Sequence, residues 1–165
     1  MMGCIDIGQW IALAFIATVV FTVLESGSQA VRLTRMSMPY LLGSTLSPSR
    51  DRARALGIGM HLAMGQAMAL AYLWIFHVVR SGTVRTGLLL GTMHGLFMVL
   101  VAIPAMPAWH PRMASDEQGP TATRQLEPPG RLALNYGWGT PVSILLSHMA
   151  FGALLGALYR MPVGC

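Results

Sequence analysis

One pattern occurs twice in the chain. His61-Leu62-Ala63-Met64-Gly65 leads to Tyr72, and His148-Met149-Ala150-Phe151-Gly152 leads to Tyr159. Both read His-x-Ala-x-Gly-x6-Tyr. On a helix turning 100° per residue, the His, Gly and Tyr of each copy fall within about 40° of one another. Each copy thus places an imidazole, a side-chain gap and a phenol on one face, with the phenol about 16 Å further along the axis. Imidazole nitrogen ligates metals and haem iron, and it also locks helices by bonding to a carbonyl or hydroxyl. Two readings follow for His61 and His148. Each is a packing residue satisfied by its surroundings, or the pair are facing cofactor-binding ligands of a b-type haem.

Other candidates are fewer. His94 follows a Gly87-x3-Gly91-x3-Gly95 stripe, and Gly156 extends the small-residue line after Gly152. Small residues at this spacing let helices approach closely. His94 lies at a depth from which it can reach toward His148. Glu25 stands roughly level with His61 and is either a solvated helix-end residue, a salt-bridge partner of a nearby Arg, or half of a Glu–His pair able to bind a metal or relay a proton. His77 and His110 sit near helix ends and are expected to reach water or headgroups. Met60, Met64 and Met68 form a stripe whose sulfurs suit Cu(I), but Met also serves as flexible filler, and no Cys or second stripe completes a site. No metal site is assigned. No nucleophile elbow, P-loop, zinc or Cys-x-x-Cys motif is present, so no catalytic residues are assigned.

The elements carrying these residues are read from charge. Hydrophobic residues make up 54% of the 165 and charged residues 10%, where a soluble domain carries roughly 25% charged. Ile7–Leu24, Ala55–Val79, Thr86–Pro111 and Leu132–Tyr159 contain no Asp, Glu, Lys or Arg. A bilayer core takes about 20 apolar helical residues to cross. The composition excludes a soluble enzyme, a disulfide scaffold and a disordered tail. The expected fold is all-α, a bundle of four transmembrane helices in a single membrane domain, with spans near 9–24, 56–79, 87–103 and 140–159. The first span looks apolar nearly all round. Ser81-Gly82-Thr83 is a tight turn that makes the second and third spans antiparallel neighbours. The spans bearing the repeated pattern run in the same direction, so the halves read as a parallel 2+2 helix repeat. Glycines on these faces either clear a slot between helices or draw them too close to admit one, and close packing argues against a central polar path.

Orientation follows from arginine, since all eleven basic residues are Arg. Arg32, Arg35, Arg50, Arg52, Arg54, Arg112, Arg124 and Arg131 lie in the first and third loops. Arg80, Arg85 and Arg160 lie on the other side. Arg-rich loops stay cytoplasmic, which puts both termini outside the cytoplasm. This explains the net charge of +5 without nucleic acid as a partner. The N-terminal apolar run lacks a basic n-region and a cleavage motif, and reads as the first span. Segment 36–47, too short to cross and containing Pro39, is read as interfacial. The Pro-rich loop 108–139 is read as a long, irregular cytoplasmic loop. Cys4 and Cys165 fall on the same outer face and are either a bridged pair or free thiols.

Taken together, Met38-Pro39-x2-Leu42-Gly43, Gly59-x-His61-x3-Gly65-x6-Tyr72, Gly91-x2-His94-Gly95 with Met106-Pro107, and His148-x3-Gly152-x3-Gly156-x2-Tyr159 resemble a group of small bacterial four-span membrane proteins of unknown function. The resemblance covers about residues 9–160. It implies four helices in the cell inner membrane and implies no reaction. The leading functional expectation is a non-enzymatic integral membrane protein without a cofactor, an accessory or structural subunit docking its apolar faces to a larger, bioenergetic membrane complex. The alternatives are a haem b or metal electron carrier using His61 and His148, and a small transporter or channel with Glu25, His61, His94 and His148 along its path and Tyr72 and Tyr159 among the interior polar groups.

The topology is directly testable. A membrane-impermeant maleimide should label Cys4 and Cys165 in spheroplasts after reduction; labelling only after lysis would reverse the orientation.

Overall fold

A computed structural model of the chain describes residues 5–161. Cys4 and Cys165 lie outside the described residues. The elements are α1 (Ile7–Ala30), α2 (Met38–Ser44), α3 (Arg50–Val78), α4 (Val84–Phe97), α5 (Met106–Trp109) and α6 (Thr140–Leu158), with a wide π turn at Met98–Ala102 and a short turn at Arg131–Tyr136. Four helices are long and apolar enough to cross a membrane: α1, α3, α6, and α4 with its π extension. The fold is all-helical, and no β-strand occurs among the described residues.

Helix ends follow local chemistry. Asp6 caps α1 by accepting from the Gln9 amide at 2.6 Å, and Thr83 caps α4 by accepting from the Thr86 amide at 3.3 Å. Pro141 sits in the first turn of α6, where its missing N–H is not needed. α1 runs six residues past Leu24 because Glu25 faces inward and Ser28 bonds back to the Leu24 carbonyl at 2.9 Å. α3 starts at Arg50 rather than Leu56, and its two extra turns carry α2.

The long helices form a row in the order α3, α1, α6, α4. α6 is its centre: 44% of the α6 span is buried, against 22% of each of the other three. The tightest contact joins α4 to α6. A Cβ on Gly87 or Gly152 would overlap the other's backbone, and one on Gly91 would overlap the His148 carbonyl. Gly95 lies against Leu145 and His148, and Gly156 against Thr83. On the other side Gly65 of α3 meets Thr18 of α1. Each glycine of the repeated pattern thus packs on the preceding long helix of its own half.

The row has one open seam. α3 and α4 are joined by a tight turn yet barely touch along their length, which corrects the reading of them as packed neighbours. α4 is drawn onto α6 by the glycine contact, and α3 is drawn onto α1 through Gly65. α1 is not free of inward polar groups either: Thr18 and Glu25 are both buried in its line of contact.

The two long loops close one end together. α2 is buried on the start of α3, where Gly43 and Gly57 allow backbone contact with Ala53 and Pro39. The 108–139 loop is ordered rather than loose: Met113 and Ala133 are fully buried, and Leu126 donates to the Arg112 carbonyl at 2.9 Å. Thr34 and Thr140 share a hydroxyl bond at 2.7 Å, and Arg35 pairs with Glu127 at 3.0 Å, which raises its guanidinium pKa further. The Tyr136 hydroxyl donates to the Glu127 carbonyl. Burial, with Glu127 close by, pushes that phenol above its ordinary range.

A matched pair of substitutions tests the α4–α6 contact. Gly91→Leu should lower stability in micelles by about 2–3 kcal/mol, the cost of overpacking a closed contact. Gly59→Ala meets open space and should gain up to ~1 kcal/mol from helix propensity. Equal thermal unfolding of the two variants would refute the close contact.

Candidate functional site

Where α3 and α4 part, a cavity of about 400 Å³ opens. The glycines bring helices together, but pairwise, and the fourth seam is left apart. Thr18 and Phe21 of α1 form its floor with His148 and Phe151 of α6, and α3 and α4 form its sides. The cap helices close one end with Met38, Leu42, Met106 and Trp109. Met64, Phe97 and Trp109 line it while remaining about half exposed, at 46%, 54% and 55%. They mark a mouth on the outer, lipid-facing side of the row.

Three histidines line this otherwise apolar space: His61, His94 and His148. The rings of His94 and His148 are in contact, centroids 4.5 Å apart at 77°. His148 donates Nδ1–H to the Ile144 carbonyl at 2.8 Å, one turn back on its own helix. His94 Nδ1 shares a 3.2 Å hydrogen bond with the Tyr72 hydroxyl. His61 Nε2 is buried without a partner among the described residues. His61 also borders a second groove of about 190 Å³ between α1 and α3.

His61 and His148 both line this cavity, but one phenyl ring packs against each of them. The Phe21 ring touches both, at 5.3 Å and at 4.8 Å edge-on. A haem reaching both imidazoles would meet that phenyl. Glu25 sits one turn from Phe21, buried, with one carboxylate oxygen unpartnered and no bond to His61. Among the described residues no three His, Cys, Asp or Glu gather in a metal-binding cluster. Met64 and Met68 line the cleft and are joined by Met98 and Met106, whereas Met60 packs into the cap core.

The outer histidines lie elsewhere than expected. His77 is buried and bonded to the Tyr159 hydroxyl at 2.6 Å, so each tyrosine of the repeated pattern partners a histidine of another helix. His110 is completely buried. It accepts from the Arg112 amide at Nδ1, so Nε2–H donates to the Leu41 carbonyl at 3.0 Å, with the Ser44 hydroxyl at 3.2 Å. The Arg112 guanidinium binds the Ser44 and Thr45 carbonyls. The two side chains satisfy carbonyls at the end of α2 that have no helical partner. Neither histidine reaches water.

Sequence reasoning found the three histidines and missed Phe21, Phe97, Met98 and Trp109. Only the Met98–Ala102 π turn gives a local sign: Ile103 donates to Met98 five residues back, next to Pro104, which has no N–H. Compared with family models, with curated proteins and with solved structures, the chain gives no match.

His110→Ala removes a buried hub of hydrogen bonds and leaves a void. It should destabilise the protein by about 3 kcal/mol in thermal unfolding in micelles. A loss below ~0.5 kcal/mol, the size of an ordinary surface change, would refute the hub.

Proposed function

We propose that the protein is a non-enzymatic integral membrane protein that takes a small apolar molecule from the bilayer into the α3–α4 cleft. One observation carries this reading: three imidazoles line an apolar space of about 400 Å³ whose mouth faces the side. Ligand cavities of this size, mostly apolar with a few convergent polar groups, form between the helices of bundles. Polar rings within a span turn inward and mark functional positions. An aqueous path for ions would need polar walls, and this cleft is walled by Met, Phe, Leu and Ile. The Phe21 contact counts against a haem clamped by His61 and His148.

We place it in the bacterial inner membrane with the cap and its eight Arg in the cytoplasm, on the basis of the arginine asymmetry. The accessory-subunit role is kept as a second reading. It is favoured by the exposed ridge of Ile7, Ile11, Phe15, Val19 and Val23 on α1. A partner helix or lipid covers such a ridge equally well.

Ala102 lines the cleft, and Ala102→Trp should fill it. Organic extracts of purified wild type should contain a stoichiometric apolar species that is missing from a variant of matched circular dichroism. Identical extracts holding bulk lipid alone would remove the binding reading.

A further inference from the structure

We infer that the molecule in the cleft carries a flat, uncharged head bearing an O–H group, of the phenol or hydroquinone class, which it donates to Nε2 of His148. The inference rests on the ligand-cleft reading above and names the chemistry of that ligand.

The tautomer of His148 decides the polarity of the contact. Its Nδ1 lies 2.8 Å from the Ile144 carbonyl, and a carbonyl oxygen only accepts. Nδ1 therefore bears the hydrogen, and in the neutral ring the lone pair is on Nε2. No described group donates to that nitrogen, and the ring lines the cleft. A ketone or ester head offers only acceptors and would set a lone pair against a lone pair. An O–H satisfies it, and burying such an acceptor unsatisfied is costly.

The surroundings shape the head. Phe21 stands edge-on to His148 at 4.8 Å, His94 crosses it at 77°, and Phe97 and Phe151 complete the wall. Rings in edge and offset arrangements favour a flat aromatic guest. No charged side chain lines the cleft, so the head is neutral. Met64, Met68 and Met98 supply flexible apolar walls that suit an alkyl or isoprenoid tail.

Three probes with one body separate the possibilities: decylhydroquinone, its dimethyl ether and decylbenzoquinone. Each is titrated anaerobically into the full-length protein in phosphatidylcholine nanodiscs, with histidine 15N NMR and tryptophan fluorescence as readouts. The hydroquinone should move the His148 Nε2 resonance and bind about tenfold more tightly than the ether or the quinone, the worth of one buried hydrogen bond. His148→Phe should erase that preference, so that the hydroquinone binds no more tightly than the ether. The wild-type ranking decides the matter even if this variant fails to fold. Ether or quinone binding as tight as the hydroquinone's overturns the O–H contact and leaves the cleft reading standing. If none of the three binds, the inference falls, and the extracts of the Ala102→Trp variant decide the cleft reading separately.

Discussion

Everything in this fold depends on how closely α4 lies on α6. Gly87 and Gly91 lie on the backbone of Gly152 and His148, and Gly95 lies against Leu145 and the His148 Cβ. In hydrocarbon no hydrophobic force drives helices together, so packing and short backbone contacts must supply the attraction. α4 turns its glycine face to α6 and not to α3. α3 is held to α1 instead, by Gly65 against Thr18. The α3–α4 seam is what remains, and the cleft fills it. The contact also sets the chemistry of the floor, because Gly91 rests on the His148 carbonyl and brings His94 against His148.

The cap makes the gap a site rather than a slot. α2, α5 and the 108–139 loop lock over one end, and Met38, Leu42, Met106 and Trp109 become cleft walls. That lock is polar at its joints. His110 and Arg112 satisfy the carbonyls at the end of α2 that lack a helical partner, while Thr34 bonds Thr140 where the last helix begins. Buried polar groups of this kind hold position because each alternative leaves a donor or acceptor unmatched. The result is a cleft closed at one end and open sideways.

The four long helices were legible because charge-free length is a direct physical signal: hydrocarbon solvates those stretches and charges end them. The glycine stripe on α4 and the inward faces of His61 and His148 followed from helical periodicity alone. What periodicity could not give was which pairs of helices meet. Gly87, Gly91 and Gly95 announce a contact surface without naming its partner, and only three dimensions show that α6 takes it and α3 does not. For the same reason the first span looked apolar nearly all round, although its Phe21 packs against two inward histidines. Loop 108–139 is irregular in backbone, as its prolines and polar residues suggest, but composition gave no sign that Met113, His110 and Ala133 anchor it from within. Glu25 keeps an unpartnered buried oxygen for which we have no physical account.

The most direct measurement is a crystal structure grown from a lipidic phase, with the protein never stripped of its native lipids. The account predicts α4 in backbone contact with α6, α3 standing apart from α4, and non-protein density in the gap within hydrogen-bond reach of His148 Nε2. A structure in which α3 packs on α4 as closely as α6 does, leaving no space above His94 and His148, would contradict it.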